Sequence, residues 1–218
     1  MAASALRAFA VAAAAWVPAV AGCSTKDVAA MRSDAVKDGF DPAAFEGFWY
    51  EHAYIDPAQV GASCQTLNAT LNPATGEVAT DFSVRYGAVP FTIKEFYDPV
   101  DPATRGVYNK HVQIPFNIPG GSLIQLPTAV VDVQRSSDGS RYETMILYSC
   151  LALVSEVVIA TRGPTLERES LQVLLQTAKE RGVPFKESGV STVDHSSCPK
   201  AAAGPLLQEL QRLAAITV

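Results

Sequence analysis

The chain has 218 residues, of which 48% are hydrophobic and 18% are charged, and this length and composition suffice for a globular domain with a sizeable core. Its formal net charge is −5, and its lysines and arginines form no cluster. Because phosphate binding requires concentrated positive charge, the sequence argues against a nucleic-acid partner.

Residues 1–22 have the pattern of a secretory signal peptide. Arg7 precedes an apolar run over residues 8–17, and small residues follow up to Ala21, where cleavage is expected. The run is shorter than the roughly 20 apolar residues that span a bilayer, and no later segment is long and uncharged enough, so no transmembrane segment is predicted. We therefore expect an exported protein that is secreted to the extracellular space.

A second interpretation of the N-terminal region stays open. Residues 20–23 read Val-Ala-Gly-Cys, which also has the form of the lipobox at which bacterial lipoproteins receive a lipid on the cysteine. A lipid on Cys23 would anchor the protein to an outer membrane. It would also leave an odd number of cysteines for pairing, which argues against this interpretation.

The four cysteines are predicted to form disulfides rather than to bind a metal, because export leads to an oxidising compartment and no Cys-x-x-Cys pair is present. They are Cys23, Cys64, Cys150 and Cys198. Four cysteines allow three pairings, and their spacing does not choose among them. We predict no metal and no cofactor.

The middle of the chain is predicted to be all-β. Residues 23–39 are polar and weakly patterned and are expected to form an extended N-terminal arm. From residue 48 to about residue 161 the chain consists of short runs rich in Val, Ile, Tyr, Phe and Thr, without helical periodicity. The clearest strand covers residues 77–86, where apolar and polar side chains alternate and predict one inward face and one wet face.

Turn sequences separate neighbouring strands at residues 72–76, 98–102 and 136–139. Each contains the Gly, Pro, Asn or Asp residues that reverse a chain. Such regularly spaced hairpins favour either a β-sandwich or a closed barrel.

One helix is predicted after the strands. It begins at residues 164–165, Pro-Thr, and stops at residues 182–184, Gly-Val-Pro. Its apolar stripe, which would cover one side of the β body, consists of Leu171, Leu174, Leu175 and Ala178. A short strand over residues 190–194 is expected to follow, and then an amphipathic helix within a C-terminal extension, residues 201–218.

Three motifs resemble the signature motifs of the lipocalin family. The first is Gly47-Phe48-Trp49-Tyr50-Glu51 at the start of the first strand. The second is Asp132 near a strand end with Tyr142 beyond the turn, and the third is Arg162 directly before Gly163-Pro164. The segments around Cys150 and Cys198 are most similar to those of apolipoprotein D-like members, and the bacterial outer-membrane lipocalins are a similar alternative.

The resemblance covers residues 40–200 and implies an all-β fold: an eight-stranded antiparallel up-and-down β-barrel, or calyx, with one flanking α-helix after the last barrel strand. In this family the signature tryptophan and arginine pack together and close the barrel, so Gly47, Trp49 and Arg162 are expected to be structural. The resemblance also implies disulfides joining Cys23 to Cys150 and Cys64 to Cys198. It further implies glycosylation at Asn68, which begins an Asn-x-Thr sequon.

The function that the resemblance implies is an extracellular carrier of one small hydrophobic molecule: a lipid, sterol, retinoid, carotenoid or bilin. An eight-stranded barrel has room for one such ligand, and alternation directs every second side chain towards it. On this basis we predict ten ligand-contacting residues. They are Phe82, Val84, Tyr86, Tyr108, Val112, Ile114, Val131, Val133, Ile146 and Tyr148.

An enzymatic alternative stays open, although the common catalytic signatures are absent and no catalytic residue is predicted. Some lipocalins are isomerases that use a free cysteine in the calyx, and related carotenoid de-epoxidases need acidic proton donors there. The candidate donors are Asp81, Glu95 and Glu143, and strand alternation places Asp81 and Glu143 outside the barrel. The isomerase chemistry would require an unpaired cysteine.

Overall fold

Eight of nine strands form a closed antiparallel barrel in the computed structural model, which describes residues 23–113, 125–151 and 154–199. Each strand pairs with the next from β2 to β8, and β1 pairs with both β2 and β8. The strands are β1 (Gly47–Ile55), β2 (Ser63–Leu71), β3 (Val78–Tyr86), β4 (Val89–Pro99), β5 (Val107–Gln113), β6 (Gln125–Arg135), β7 (Tyr142–Leu151), β8 (Val154–Thr161) and β9 (Ser191–Thr192). The predicted barrel is confirmed, and β9 lies within the predicted short strand and pairs with Ala53 and Tyr54 of β1.

Strand β3 has the alternation that the sequence indicates. Val78, Thr80, Phe82 and Val84 are buried, whereas the side chains between them are partly exposed. The predicted turn at residues 72–76 connects β2 to β3, and the turn at residues 136–139 connects β6 to β7. The hairpins predicted at these two turns are therefore confirmed.

The outer surface of the barrel is covered on one side by helix α3, Arg168–Glu180. This helix begins later than predicted, because residues 164–167 still form the connection from β8. Its predicted stripe does face the barrel: Leu174 and Ala178 are buried, and Leu171 and Leu175 pack against the same outer cluster. The predicted C-terminal helix in residues 201–218 lies outside the described residues.

The N-terminal arm is not extended, so this prediction is wrong. It contains two short helices, α1 (Thr25–Ala30) and α2 (Asp34–Gly39). Ser24 begins α1 with a capping box to Asp27, and Ser33 caps α2. Each helix buries one valine against the barrel, and helices of six residues are too short to show a periodic pattern in the sequence.

Both disulfides that the resemblance implied are present: Cys23 is bonded to Cys150, and Cys64 to Cys198. The first bond ties the start of α1 to β7, and the second ties β2 to the segment after β9. Their sequence separations are 127 and 134 residues. Closing loops of this length stabilises the fold by about 4–5 kcal/mol per bond in the chain-entropy model.

The apolar core consists of two layers. An inner cluster fills the barrel around Trp49, Leu67 and Phe82, and an outer cluster lies between the barrel wall and helices α1 and α3, around Val131, Ile146 and similar residues. Strands β6, β7 and β8 contribute to both clusters, so both of their faces are buried. Where both faces of a strand are buried, the sequence lacks the alternation of polar and apolar residues from which the inward face is predicted.

Candidate functional site

One end of the barrel is closed by Trp49 and Arg162. The guanidinium carbon of Arg162 lies 3.7 Å from the centre of the Trp49 ring, and Trp49 is completely buried. Arg162 donates hydrogen bonds to the backbone carbonyl oxygens of Tyr142 at 2.9 Å, Phe48 at 3.0 Å and Ala44 at 3.1 Å. Burial lowers the pKa of Arg162 to about 10, so the side chain stays charged at neutral pH.

Two further signature residues surround this closed end. Tyr142 stacks on Phe40 with ring centres 5.5 Å apart, and its hydroxyl accepts a hydrogen bond from the backbone N–H of Asp41 at 2.8 Å. Gly47 has φ +95°, and a Cβ there would lie 3.3 Å from Nη1 of Arg162. Glycine is therefore required at this position both by the backbone and by the close approach of the arginine.

The opposite end holds a cavity of about 330 Å³. Its apolar wall is formed by Pro57, Ala58, Phe82, Val84, Tyr86, Phe91, Ile93, Val112, Leu126 and Val154. Its polar lining consists of Asp56, Gln59, Glu95, Lys110 and Glu156. A second cavity of about 450 Å³ lies outside the closed end, between the segment at Phe40 and the loop that joins β4 to β5.

The floor of the open-end cavity is a buried ion cluster centred on Lys110. Nζ of Lys110 lies 2.9 Å from Oε1 of Glu95 and 2.7 Å from Oε2 of Glu156. The side chains of Lys110, Glu95 and Glu156 are 4%, 6% and 14% exposed. Tyr97 and Thr80 donate hydrogen bonds to Oε2 of Glu95 at 2.7 Å and 3.3 Å.

The protonation states in this cluster follow from burial and from the neighbouring charges. Burial opposes the charged form of Lys110, but the carboxylates of Glu156 and Glu95 outweigh burial and raise the pKa of Lys110 well above its usual value. Burial raises the pKa of Glu156, against the opposing field of Lys110. Burial, reinforced by Glu156 and Glu95, also raises the pKa of Glu51 well above its usual value.

Three buried glutamate and glutamine side chains have polar atoms without a hydrogen-bond partner among the described residues. They are Glu51, Gln59 and Gln65, and the atoms concerned are four oxygens and one nitrogen. Such atoms are costly in a folded protein unless water or a ligand satisfies them. Gln59 is the one that lines the cavity.

Solved structures of three proteins have the same architecture. Lobster apocrustacyanin A1 has a TM-score of 0.57 at 15% identity, over 82% of this chain and 90% of that chain. Insecticyanin from the tobacco hornworm Manduca sexta has a TM-score of 0.54 at 16% identity, over 75% of this chain and 85% of its own. The bovine lipocalin allergen Bos d 2 has a TM-score of 0.51 at 13% identity, over 73% and 99%.

The chain has the lipocalin fold. At these identities the similarity concerns the fold alone. No family model matches the sequence, and no curated protein matches it significantly. The open end of the barrel is the position of the lipocalin calyx, and the cavity described above is its interior.

Four predicted contact residues line the calyx cavity: Phe82, Val84, Tyr86 and Val112. Tyr108 and Val133 do belong to the inner cluster, but neither lines the calyx cavity, and Tyr108 instead packs with Phe40 and Tyr97 around a void of about 10 Å³. Ile114 lies outside the described residues.

The predicted inward orientation is wrong for Val131, Ile146 and Tyr148, which belong to the outer cluster under α1 and α3. A β-bulge between Val130 and Asp132 shifts the alternation on β6. On β7 both faces are apolar and buried, so the sequence offers no contrast from which to choose the inward phase.

Sequence reasoning missed Lys110 and Glu156, although it named Glu95 as a candidate. The signal for Lys110 was present, because it lies between the predicted inward residues Tyr108 and Val112 and therefore shares their phase. Asp81 and Glu143 lie outside, as predicted, in ion pairs with Lys94 and Arg141. Charged residues in an inward phase were the missed indication of a polar calyx floor.

Two of the three histidines lie together where β1 meets β9. The ring centres of His52 and His195 are 5.4 Å apart, and Nε2 of His195 lies 2.8 Å from the backbone oxygen of Glu51. Burial is the main cause that lowers the pKa of both imidazoles. His111 stacks on Phe96 instead, with ring centres 5.0 Å apart. Among the described residues no group of three potential metal ligands occurs.

Within the same described part of the chain, no helix is both long and apolar enough to cross a membrane. Asn68 lies on β2 with its side chain exposed, a position that a glycan could reach. The residues predicted to form the signal peptide, 1–22, lie outside the described residues.

Proposed function

We propose that the protein is an exported carrier that holds one small, mainly apolar molecule in its calyx. The observation that carries this proposal is the cavity of about 330 Å³ with ten apolar or aromatic side chains in its wall. Small-molecule sites are typically about 300–1,000 Å³ and mostly apolar. Because apolar burial contributes about 25 cal/mol per Å², a ligand would bind reversibly with few polar contacts.

The calyx favours a carrier over the two enzymatic alternatives. The isomerase chemistry needs a free cysteine, and all four cysteines are in disulfides. A de-epoxidase needs an acid that can release a proton to the ligand. Glu95 lines the cavity but is ion-paired with Lys110 and accepts a hydrogen bond from Tyr97. Burial raises the pKa of Glu51, but Glu51 is not among the residues that line the cavity.

The disulfides support export, and the bond at Cys23 favours secretion over lipid anchoring. The sulfur of Cys23 is bonded to Cys150, and a lipid thioether on Cys23 would exclude that bond. We expect the mature chain to begin close to residue 22 and to carry a glycan on Asn68 in a host that glycosylates. Mass spectrometry of the secreted protein checks both, and Asn68→Gln should abolish the added sugar mass.

A matched pair of substitutions on β3 tests the carrier proposal. Val84 lines the cavity, whereas Ser83 is its neighbour on the outer face. Val84→Trp should fill the calyx and weaken binding of an apolar fluorescent probe by about tenfold or more, since overpacking leaves no room for ligand. Ser83→Trp should leave binding unchanged.

The outcome that contradicts the proposal is a wild-type protein that binds no apolar probe, or a Val84→Trp variant that binds as well as Ser83→Trp. Circular dichroism of both variants establishes that they remain folded. Extraction of the secreted protein with organic solvent, followed by mass spectrometry, should then release the natural ligand.

A further inference from the structure

The charges that line the calyx do not balance. Among the described residues, three carboxylates line the cavity, from Asp56, Glu95 and Glu156, and one cation, Lys110. Glu95 and Glu156 both pair with that single ammonium. Negative charge therefore exceeds positive charge in an enclosed space, where unpaired charge is costly.

The ammonium of Lys110 already contacts two carboxylates. It donates hydrogen bonds to Oε1 and Oε2 of Glu156 at 2.9 Å and 2.7 Å, and it lies 2.9 Å from Oε1 of Glu95 in an ion pair. A ligand carboxylate would have to share Lys110 with the two carboxylates that already contact it. It would also add a further negative charge to a cavity that already has an excess.

The groups that remain available are hydrogen-bond acceptors. Gln59 lines the cavity with a side chain that is 2% exposed, and its Oε1 atom has no hydrogen-bond partner in the described part of the chain. Glu156 also faces the cavity, and each carboxylate oxygen accepts in more than one direction. A ligand that satisfies these atoms must supply N–H or O–H donors.

We propose that the calyx is selective for an apolar molecule that ends in a protonated amine, which donates hydrogen bonds to Glu156 and Gln59. The amine would supply both the missing positive charge and the missing donors, while the apolar body would pack against Phe82, Val84 and Val112. A neutral hydroxyl supplies a donor without the charge and binds less tightly. A carboxylate supplies neither and binds weakest.

This selectivity rests on the proposed carrier function, and three probes with one apolar body separate the two. Decylamine, decanol and decanoate are titrated at pH 7.5 below their micellar concentrations, by displacement of a fluorescent probe. An alkylamine is protonated there, because its pKa is close to the value of about 10.4 for lysine. We expect decylamine to bind about tenfold more tightly than decanoate or better, with decanol between them.

The possible results are distinct. Decanoate binding as tightly as decylamine, while all three probes bind, would overturn the selectivity and leave the carrier function intact. Failure of all three probes to bind would overturn the carrier function, and the selectivity with it.

A variant of the acceptor tests which group recognises the amine. Glu156→Gln keeps the size of the side chain and removes its charge, so decylamine should bind about tenfold more weakly, decanol should change little and decanoate should bind more tightly. Asp81→Asn is the matched control, because Asp81 is a carboxylate on the outer face of the barrel. It should leave all three affinities unchanged.

If Glu156→Gln fails to fold, Gln59→Met provides a second test without a change of charge. This variant removes the unpartnered acceptor and should weaken decylamine and decanol binding, while decanoate binding stays the same or improves. Equal effects on all three probes, in either variant, would mean that the apolar body alone decides binding and would overturn the proposal.

Discussion

Each end of the barrel contains one cation, a partly buried arginine at the closed end and a buried lysine at the open end, and the two cations have different surroundings. Arg162 at the closed end stacks on the ring of Trp49 and donates hydrogen bonds to neutral backbone carbonyls, and the charges of Arg141 and Glu143 shift its pKa in opposite directions. Lys110 at the open end is surrounded by carboxylates. Dipoles keep their polarity at any pH, whereas carboxylates lose their charge on protonation. The closed end should therefore resist changes in pH, and the open end should respond to them and to ligand charge.

The largest effect is expected at the closed end. Trp49→Ala should lower the free energy of unfolding by about 3–5 kcal/mol, because a fully buried ring is replaced by a void and Arg162 loses its aromatic partner. Urea unfolding at pH 5 and pH 8 should show nearly the same loss. The neighbouring Phe48→Ala serves as the control, since Phe48 is only partly buried, and its smaller effect would establish that the loss is specific to Trp49.

At the open end, Lys110→Met should cost about 3 kcal/mol at pH 8, because it leaves two buried carboxylates without their cation. The loss should be smaller at pH 5. Burial already raises the pKa of Glu156, and without Lys110 nothing opposes that shift. A carboxyl whose pKa is higher in the folded state binds its proton in the folded protein first, so acidification stabilises the variant relative to the wild type.

The same pair of urea experiments therefore distinguishes the two ends. A loss at Lys110 that is equal at both pH values, like that at Trp49, would contradict the contrast between neutral and ionisable surroundings.

A smaller effect is expected for Gly47→Ala. The alanine would have to adopt φ +95°, and its Cβ would lie 3.3 Å from Nη1 of Arg162. We expect a loss of about 1–2 kcal/mol in thermal or urea unfolding. Gly139→Ala is the control, because Gly139 also has a positive φ, +72°, but a Cβ there would meet nothing within 4 Å. If both variants lose equal stability, contact with Arg162 contributes nothing.

The sequence predicted those strands and helices that have one polar, solvent-exposed face and one apolar, buried face. The inward face of β3 could be predicted because Asp81 and Arg85 mark its outer face. The buried stripe of α3 could be predicted for the same reason. The orientation of Ile146 and Tyr148 was not readable, since α1 and α3 cover the outside of β7 and make both faces apolar. The disulfide pairing came from the family resemblance and not from spacing.

The polar calyx floor was harder to predict, because it depends on residues far apart in the chain. Lys110 is in an inward phase, but a lysine is normally placed in solvent unless a buried partner is known. Its partners Glu95 and Glu156 lie on other strands, β4 and β8, and only the closed barrel brings them to the same ammonium. Strand phase alone thus indicates a candidate, and the tertiary fold decides whether its charge is compensated.

The smallest effect is expected from the histidine pair, which lies on the outside of the barrel. Burial lowers the pKa of His52 and of His195. The charge of His195 also lowers the pKa of His52, whereas the charge of Asp194 opposes the shift of His195. Between these lowered values and the unfolded value of about 6.5, the unfolded chain binds protons that the folded protein does not. Stability contributed by the neutral imidazoles is therefore complete above that unfolded value and falls on acidification.

A double variant, His52→Gln with His195→Gln, should accordingly lose less stability than the wild type between pH 7.5 and pH 5.5, as measured by urea unfolding. Tyr50→Leu removes a ring that packs edge-on against His195 at 5.1 Å but keeps both imidazoles, so it should lower stability by a similar amount at both pH values. Identical pH dependence in the double variant and the wild type would contradict this prediction. The acid sensitivity would then come from the carboxylates at the open end of the barrel and not from the histidines where β9 attaches.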